Sequence, residues 1–481
     1  MEKILDVIIV GAGLSGIDAA YRIQSECPDK SYTILEARNG MGGTWDLFKY
    51  PGIRSDSDMY TLGFPFYPWK DPKAIADGPS ILSYIKETAA HFGIDKKIQY
   101  QHKVVNASWS SKEALWSLDI AEENNSATKV LKCKFLFMTT GYYNYDQGYA
   151  PEFPKSELFK GPIIHPQKWD SQLDYTNKEI VVIGSGATAV TLVPELAKKA
   201  KKVTMLQRSP TYIMTLPSKD VIANTLRKYL PGKIAYSLSK WKNVLLAMFM
   251  YQLSKRRPQV MKDFLMKGVH RGLRTHTLDK HFSPSYNPWD QRLCLVPDGD
   301  FFKAIRNQKA DIVTDTIREF TPSGILLDSG TELQADIIIS ATGLQLQLLG
   351  GMSYDVDGVK LAPNQLHSYK GVMFSDIPNF AFAVGYTNAS WTLKCDLNCQ
   401  FVARILKYMD RHQKTVVTPR FDSSKFDSEP LLDFDAGYVK RAEAYLPKQG
   451  SEKPWKVHQN YIKDTISLKM EKINNENLEF Y

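Results

Sequence analysis

Two glycine-rich motifs of the same form lie about 170 residues apart in the sequence. Each has small residues at its first, third and sixth positions: Gly11, Gly13 and Gly16 in GAGLSG, and Gly184, Gly186 and Ala189 in GSGATA. Glycines at the first two positions let the backbone approach the pyrophosphate of a dinucleotide, and the third small residue lets a helix pack closely on a strand. Free N–H groups and the positive dipole end of a following helix favour this anionic group. The motifs therefore predict two dinucleotide sites.

Each motif lies between an apolar strand pattern and a helix pattern. Residues 6–10 (DVIIV) and 179–183 (EIVVI) are typical of buried parallel strands, because both are short, apolar and β-branched. Helix patterns follow over residues 17–26 and 190–200. Tight glycine turns without a ligand are the alternative, and two motifs in this strand–turn–helix context argue against it. The sequence predicts an α/β fold with two Rossmann-like dinucleotide-binding domains.

The residue after the second strand differs between the two sites. Glu36 follows the strand at 31–35, where a carboxylate accepts hydrogen bonds from ribose hydroxyls and repels a 2′-phosphate. Arg208 and Ser209 follow the strand at 203–206, and a guanidinium pairs with a 2′-phosphate. The first site therefore suits FAD and the second suits NADPH. A solvated surface arginine is the alternative for Arg208.

The chain is long for a single core, and the positions of the motifs suggest how it divides. Its 481 residues favour two or three domains. Between the two halves of the second pattern lies a region with helix patterns, interleaved charges and few strand patterns. The predicted domains are an FAD-binding domain of residues 1–150 and 372–481, an NADPH-binding domain of residues 151–217 and 291–371, and a helical insertion of residues 218–290.

Two further stretches combine aromatic, glycine and polar residues at short spacing. In GGTWDLFKYPGIRSDSDMY, Gly43 permits a close backbone approach, Trp45 offers a flat face to a ring system, and Asp56 is an acid in a polar turn. A helix cap is the alternative role for Asp56. The second stretch, FKGPIIHPQKWD, is too short and too rich in proline for a core helix. Taken alone, its His165 suggests an acid–base catalyst.

Charge and composition limit the partners. The net charge of +9 is spread along the chain without a basic arm or a recognition-helix pattern, so nucleic acid is not expected, whereas anionic cofactors and anionic membrane surfaces suit a basic chain. The five cysteines are odd in number and sparse, which favours a reducing compartment. His270, His276 and His281 have no matched carboxylate or cysteine cluster in the sequence, so no metal site is predicted. No segment is typical of a signal peptide or a membrane span, and a cytoplasmic location is expected.

Residues 241–253 form an apolar segment, WKNVLLAMFMYQL, with basic residues on both sides. At about 1.5 Å per residue it is too short to span a bilayer. Two interpretations remain: a helix at a membrane interface, which would make the protein peripheral at the inner face of the cell membrane, and a buried helix of the insertion. The sequence is also compatible with a homo-oligomer and does not decide the oligomeric state.

Two fingerprints in the sequence resemble those of class B flavoprotein monooxygenases in their Baeyer–Villiger form. The pattern FxGxxxHxxxW[P/D] is matched by Phe159, Gly161, His165 and Trp169, and is followed by an aspartate. The pattern GxWxxxx[F/Y]P[G/M]xxxD is matched from Gly43 through Trp45 and Tyr50 to Asp56. Both glycine motifs and both fingerprints occur in the order of the family, and the resemblance extends over nearly the whole chain.

The resemblance implies FAD and NADPH as cofactors and a definite order of steps. NADPH reduces FAD, O₂ adds at the flavin C4a carbon, and the resulting peroxyflavin attacks a carbonyl, so that one oxygen atom is inserted beside it. The expected substrates are small lipophilic ketones, which give esters or lactones, and thioethers or thioamides, which are S-oxygenated. Hydroxylation of long-chain alkanes and a plain NADPH-dependent flavin reductase or oxidase remain alternatives.

The resemblance also implies roles for individual residues. The active-site arginine of the family falls on Arg292, where a guanidinium would stabilise the peroxide and the oxyanion of the adduct, and Asp56 would hold it. Gln291 stands where many relatives have a lysine that helps to hold the 2′-phosphate, so NADPH selectivity either rests on Arg208 alone or is weaker. The expected cofactor-binding residues are Gly11, Gly13, Gly16, Glu36, Gly43, Thr44, Trp45, Asp56, Gly184, Gly186, Ala189, Arg208, Ser209 and Gln291.

The fingerprint that contains His165 lies between the two domain patterns, ahead of the strand at 179–183. This position changes the interpretation of His165 from an acid–base catalyst to part of an interdomain joint. We expect His165 and Trp169, with Phe159 and Gly161, to set how the NADPH domain moves against the flavin domain between hydride transfer and oxygenation.

Overall fold

A computed structural model describes residues 4–122, 125–277, 279–291, 293–432 and 437–481. The first unit is built on a sheet that begins at the N-terminus. Its first strands are β1 (Leu5–Val10), β2 (Tyr32–Leu35), β3 (Ile98–Gln99), β4 (His102–Ser110), β5 (Leu115–Glu122) and β6 (Asn125–Met138). Its first helices are α1 (Leu14–Glu26), α2 (Thr44–Leu47), α3 (Met59–Leu62) and α4 (Gly78–His91).

The centre of this first sheet is parallel, as the βαβ pattern predicts. β1 lies between β2 and β6 and is parallel to both, with Val10 opposite Leu35 and Met138. The carboxyl ends of the three strands therefore meet at one edge, where ligands of open α/β sheets bind. The β4–β5–β6 segment is an antiparallel meander that the sequence did not indicate.

The second unit is a parallel sheet with the order β12–β9–β8–β16–β7. The strands of this part of the chain are β7 (Ile163–Ile164), β8 (Glu179–Ile183), β9 (Lys202–Gln207), β10 (Ile213–Leu216), β11 (Cys294–Pro297), β12 (Ala310–Thr314), β13 (Ile317–Thr321), β14 (Gly324–Leu327), β15 (Glu332–Gln334) and β16 (Ile337–Ser340). The strand β16, which lies inside this sheet between β8 and β7, is buried throughout, because helices or loops cover both faces of a parallel sheet.

Five helices accompany the second unit, and three of them form the insertion. They are α5 (Ala187–Leu196), α6 (Val221–Tyr229), α7 (Gly232–Arg256), α8 (Pro258–Leu273) and α9 (Asp300–Arg306). The helix expected over residues 190–200 begins earlier and ends earlier, because α5 starts inside the glycine motif, directly after Gly186. The strands β10 and β11 pair in parallel at the base of the insertion, with Ile213 opposite Cys294.

The C-terminal part returns to the first sheet earlier than expected. Its elements are β17 (Ser353–Val356), β18 (Val359–Lys360), β19 (Ser368–Tyr369), β20 (Met373–Phe374), β21 (Phe380–Phe382), α10 (Trp391–Arg411), β22 (Val417–Pro419), β23 (Ser428–Pro430), α11 (Gly437–Ala442), β24 (Lys448–Gly450), α12 (Tyr461–Thr465) and β25 (Leu478–Phe480). β17 pairs with β4, with Tyr354 opposite Ala107. The chain therefore rejoins the first sheet at residue 353, ahead of the boundary expected at residue 372. Tyr354 is buried in the core of the first unit, which accounts for the difference.

Each unit has its own apolar core. In the first unit, α1 and α10 pack on one face of the sheet, and the meander and β17 cover the other face. In the second unit, α5 and α9 pack together with β8, β9 and β12. Within the described residues, no helix has both the length and the apolar composition that crossing a membrane requires.

Candidate active site

The first glycine motif forms a cradle whose shape only small residues allow. Gly11 has φ +105°, and a Cβ there would lie 2.8 Å from the carbonyl oxygen of Thr139 at the end of β6. A Cβ on Gly16 would overlap the carbonyl oxygen of Gly11. The turn between β1 and α1 therefore needs glycine at both positions, as the sequence predicts.

The middle glycine of the motif faces a second glycine across a narrow gap. A Cβ on Gly13 would lie 3.5 Å from Cα of Gly43, which itself has φ +57°. Helix α1 begins at Leu14, and no side chain caps its first N–H groups. Two close backbones and an uncapped helix end form an anion-binding cradle. Thr44 and Trp45 begin α2 directly beside it.

Glu36 ends β2 next to the cradle, and the backbone fixes its carboxylate. Oε2 accepts a hydrogen bond of 2.8 Å from the Ala12 N–H, and Oε1 accepts one of 3.0 Å from the Arg38 N–H. Burial raises the pKa of Glu36 above its ordinary value, and the two N–H donors oppose that shift. The two backbone N–H groups therefore fix the position of this carboxylate beside the cradle.

The cradle opens into a cavity of about 1120 Å³ that the two units and the insertion share. This volume is large for a small-molecule site and suits a cofactor and a substrate together. Residues expected at the site that line it are Gly11, Gly13, Glu36, Gly43, Thr44, Trp45 and Asp56. Asp56 is exposed at the wall, and Arg292 lies outside the described residues.

A C-terminal segment that the sequence did not single out also lines the cavity. Residues 386–391 reach it, and the Trp391 ring stacks on Tyr142 with centroids 5.0 Å apart. Helix α10 begins at Trp391, and its N-cap Ser390 makes no side-chain cap. The signal for this segment was the run of small polar residues before a helix pattern, which by itself is also typical of an ordinary helix start.

The second glycine motif forms a similar turn with a more open approach. Gly184 has φ +133°, and a Cβ there would overlap the carbonyl oxygen of Ala341. At Gly186 a Cβ would meet nothing within 4 Å, so the space above the start of α5 is open. Ala189 is fully buried where α5 packs on the sheet. The roles expected for the three positions fit this arrangement.

The residues at the end of β9 are exposed, as a cofactor contact requires. Arg208 and Ser209 follow the last strand residue, and both are exposed. The carbonyl oxygen of Ser209 accepts a 3.1 Å hydrogen bond from Ser185, which ties this end to the glycine turn. Gln291 is half-buried. Gly184 of the glycine motif and Arg208 after β9 do not line the large cavity, whereas Thr188 of α5 lines it.

The loop after α2 connects the two units through contacts that the sequence did not predict. A side-chain hydrogen bond joins Tyr50 to Thr188, and burial raises the pKa of Tyr50 to about 12. Arg54 forms an ion pair with Asp300 at the start of α9, and both of its terminal nitrogens take part. The loop therefore holds the wall of the cavity against the second unit. The fingerprint contains Tyr50, which was the available signal.

The fingerprint that begins at Phe159 packs on the second unit. Phe159 is buried beside Phe320 with centroids 6.4 Å apart, and β7 is the edge strand of the second sheet. A Cβ on Gly161 would overlap the carbonyl oxygen of Asp336. Trp169 packs against the core of the second unit and meets Tyr175 edge to face. These residues do not line the cavity.

His165 connects the segment before the second unit with the end of β16. Its Nδ1 accepts a 3.2 Å hydrogen bond from the Gln167 N–H, so the proton of the neutral ring is on Nε2. Nε2 donates a 3.1 Å hydrogen bond to the carbonyl oxygen of Gly343. Burial lowers the pKa of His165, and nearby Lys168 lowers it further, whereas the bond to Gly343 opposes the shift. A neutral imidazole that lies outside the cavity, with a hydrogen bond at each ring nitrogen, fits a connecting role better than a role in proton transfer.

The expectation that His270 and His276 lack a matched carboxylate is wrong. His270 Nε2 lies 2.9 Å from Asp279 Oδ1, and His276 Nδ1 lies 3.7 Å from Asp279 Oδ2. These three side chains offer ligand atoms within 4.8 Å of one another. His270 lies in the last turn of α8, whereas His276 and Asp279 follow that helix, and their spacing in the sequence alone did not indicate that the three side chains meet. His281 bonds instead to Thr314, at 2.7 Å.

The chain is similar to known proteins along its whole length. A model of the flavin-binding monooxygenase-like family matches residues 5–415. The FAD-containing monooxygenase EthA of Mycobacterium tuberculosis is 54% identical over 100% of this chain and 98% of that protein. The probable FAD-binding monooxygenase AlmA of an Acinetobacter species is 47% identical over 100% of this chain and 97% of that protein.

Solved structures share the fold. The OTEMO complex with FAD and NADP matches with a TM-score of 0.75 and 22% identity over 100% of both chains. An oxidised steroid monooxygenase bound to NADP matches with a TM-score of 0.73 and 20% identity, over 87% of this chain and 88% of that one. The predicted α/β fold with two dinucleotide-binding domains is confirmed by this likeness. Together with the two cradles, the matches show that the chain belongs to the flavin-binding monooxygenase-like family.

Proposed function

We propose that the chain is an FAD-containing, NADPH-dependent Baeyer–Villiger monooxygenase that inserts one oxygen atom from O₂ beside the carbonyl of lipophilic ketones. The observation that carries the proposal is the cavity of about 1120 Å³. The Glu36 cradle, the Asp56 loop and Thr188 at the start of α5 all line it, which supports a site where both cofactors reach a substrate. The names of the EthA relatives and the bound NADP of the structural neighbours support the proposal.

The two cradles take different cofactors. FAD fits the first, because the glycine turn leaves room for its pyrophosphate and the Glu36 carboxylate is placed for its ribose. NADPH fits the second, because the start of α5 is open at Gly186 and Arg208 stands exposed at the end of β9 for the 2′-phosphate. The reaction consumes ketone, O₂, NADPH and a proton and yields ester, NADP⁺ and water.

Bound FAD would supply the chemistry that accepts hydride from NADPH and activates O₂. The protein contributes position and electrostatics. We assign Arg292 the role of stabilising negative charge that develops on oxygen, and Asp56 the role of holding that arginine at the cavity wall. Trp45, beside the cradle, packs against the core and presents its face to the cavity. Gln291 in place of a lysine leaves Arg208 as the main 2′-phosphate contact.

The cavity wall supplied by the insertion is mainly apolar, which favours a lipophilic substrate class. It contains methionine, leucine and aromatic side chains, namely Leu246, Met248, Met250, Met261, Phe264 and Trp289. Methionines adapt to ligands of irregular shape. Lipophilic ketones fit this wall, and thioethers or thioamides fit it equally, so we include S-oxygenation in the proposed activity.

We further propose that Phe159, Gly161, His165 and Trp169 act as a joint between the units. His165 supports this role because Nδ1 accepts the N–H of Gln167 in its own segment, whereas Nε2 donates to the carbonyl oxygen of Gly343, which follows β16 of the second unit. A joint sets how far the second cofactor moves relative to the first during the cycle.

The test of the function is a product analysis with labelled oxygen. Purified holoenzyme is given NADPH, ¹⁸O₂ and separate samples of a long-chain ketone, a thioether and an alkane. We expect an ester that carries one ¹⁸O atom and a sulfoxide that carries one, with NADPH consumed in equal amount. Hydrogen peroxide as the only oxygen product, or a hydroxylated alkane as the only organic product, would contradict the proposal.

We also propose that the protein works in the cytoplasm at the inner face of the cell membrane, to which it binds peripherally. All five cysteines lie within the described residues, are buried and form no disulfide bond, which agrees with a reducing compartment. The expected segment 241–253 lies inside α7, which is 25 residues long. The side chains on the exposed side of α7 determine how this helix would contact a membrane.

A further inference from the structure

The outer side of α7 carries a continuous line of exposed apolar side chains, here called the apolar stripe. Its members are between 40% and 61% exposed and are Ile234, Leu238, Trp241, Leu245 and Phe249. Their spacing of three or four residues places them on one face of the helix, over about 22 Å at 1.5 Å per residue. The inward side of the same helix holds the buried Ala235 and Val244. An exposed helix face is ordinarily polar, so the stripe needs an explanation.

The neighbouring helices extend the apolar surface. α6 and α8 both pack against α7. Val221 and Tyr229 of α6 are 72% and 71% exposed, and Val260 and Phe264 of α8 are each 52% exposed. The insertion therefore presents apolar side chains from all three of its helices.

The excess of positive over negative charge in the protein is concentrated in the same region. Residues 219–274 contain thirteen lysines and arginines and only two aspartates, a net charge of +11. Since the whole chain has a net charge of +9, the remaining residues together carry −2. Many of these basic side chains are exposed, among them Lys233, Lys255, Arg256 and Arg257. Apolar side chains interspersed with lysine and arginine are typical of a helix that lies in an anionic membrane interface.

The cavity opens on this surface. Four side chains are more than half exposed and also line the cavity, namely Val221, Ile222, Leu246 and Phe264. They come from α6, α7 and α8 and surround the entrance between the three helices. A molecule that enters here passes first over the apolar surface.

We propose that the outer surface of α6, α7 and α8 docks on an anionic phospholipid bilayer and that lipophilic substrates enter the cavity directly from the lipid. The nature of the substrate rests on the proposed function, whereas the docking itself rests only on the surface. A second copy of the chain is the competing occupant. Two insertions that each have a net charge of +11 over residues 219–274 would repel one another, which favours the anionic lipid.

Vesicle flotation of the holoenzyme tests the docking. At low salt we expect co-flotation with vesicles of phosphatidylglycerol and phosphatidylcholine, at least about tenfold weaker binding to phosphatidylcholine alone, and release at high salt. The double variant Leu245→Ser, Phe249→Ser should lower binding to the anionic vesicles at least about tenfold, because it removes apolar area that enters the lipid. Neither residue lines the cavity, and both are exposed, so folding and FAD content serve as checks.

The matched control is Val359→Ser, which changes a 65% exposed apolar residue of β18 in the first sheet and should leave flotation unchanged. Absence of flotation for the unaltered protein, or equal flotation of both variants, would overturn the docking. Light scattering distinguishes the competing occupant: a dimer that the double variant dissociates, without vesicle binding, overturns the proposal in favour of a second copy.

The entry route is tested by two ketones, one water-soluble and one dissolved in the vesicles. The double variant should turn over the soluble ketone at the normal rate and the vesicle-held ketone several-fold more slowly. Equal rates for the vesicle-held ketone would overturn the route. If the unaltered protein oxygenates neither ketone but still floats, the proposed function fails and the docking stands.

Discussion

Arg208 is the residue on which the choice between NADPH and NADH depends. It is exposed at the end of β9, and Gln291 offers no second positive charge. We predict that Arg208→Ala raises the KM for NADPH about tenfold or more, since a charge-assisted contact contributes about 1.5–3 kcal/mol. The KM for NADH should change little. Steady-state kinetics with both cofactors measure this, with Lys309→Ala, an exposed lysine of the same unit, as the control. Equal increases for both cofactors would remove the assignment.

Glu36 is the residue that we expect to bind the ribose of FAD at the first site, just as we expect Arg208 to bind the 2′-phosphate of NADPH at the second. Its carboxylate already accepts the Ala12 and Arg38 N–H groups, and the charge is available for a ribose. Glu36→Gln keeps the size but removes the charge, so we predict an FAD dissociation constant about 10- to 100-fold higher. Fluorescence titration of the FAD-free protein measures it. Glu157→Gln, at an exposed glutamate between the units, should bind FAD normally. An unchanged constant in the Glu36 variant would show that the carboxylate only supports the turn.

At the scale of the element, the two glycines of the β8–α5 turn have different roles: one is needed for the fold of the turn, and we expect the other to leave room for the cofactor. Gly184→Ala would place a Cβ against the carbonyl oxygen of Ala341 at φ +133°, whereas Gly186→Ala meets no protein atom within 4 Å. We predict that Gly184→Ala lowers the melting temperature by several degrees, in line with a strain of about 1–3 kcal/mol. Gly186→Ala should melt normally and raise the KM for NADPH, because its methyl group occupies the space of the pyrophosphate. Calorimetry and kinetics of the two variants test this, and identical behaviour would contradict it.

The elements around the glycine motifs could be predicted because their causes are local. A β-branched run, a turn that only glycine fits and an apolar helix follow one another in the chain, so β1, α1, β8 and α5 were indicated within a few residues of their bounds. The contacts that complete the site are distant in sequence. The pairing of β17 with β4 and the ion pair of Arg54 with Asp300 join segments about 250 residues apart. No local pattern encodes such a contact, which is why the boundary at 372 and the loop between the units escaped prediction.

At the scale of the whole molecule, the ion pair between Arg54 and Asp300 links the cavity wall to the second unit. Both side chains are mostly shielded, with 12% and 29% of their surface exposed. We predict a coupling free energy of about 1 kcal/mol in a double-mutant cycle of Arg54→Ala and Asp300→Ala, measured by urea unfolding, with the partial exposure limiting the value. The same variants should release more hydrogen peroxide per NADPH, because the wall is less firmly held. A coupling near zero would show that the two units are positioned by other contacts, such as Tyr50 with Thr188.

The joint at His165 connects the stability of the whole molecule to pH. Burial lowers the pKa of His165 below its ordinary value of 6.5, so the folded protein resists a proton that the unfolded chain takes up. Stability from this residue is therefore complete above about pH 6.5 and is lost as the pH falls toward the folded pKa. His165→Gln cannot take up the proton. We predict that the free energy of unfolding falls less steeply between pH 7.5 and about 5 in this variant than in the unaltered protein.

Urea unfolding at a series of pH values measures how steeply the free energy of unfolding depends on pH in each protein. The difference in this free energy between the two proteins at pH 8 serves as the reference, because His165 is neutral at that pH in both the folded and the unfolded state. His281, His367 and His458 also have lowered pKa values from burial, so the unaltered protein keeps part of its slope in the variant. Parallel curves would mean that Nδ1 of His165 takes up a proton in the folded protein as readily as in the unfolded chain, so that neither burial nor the hydrogen bond from the Gln167 N–H holds the neutral ring in place. The imidazole would then swing freely with the loop, and the role of a joint between the units would pass to the buried Phe159 and to Trp169.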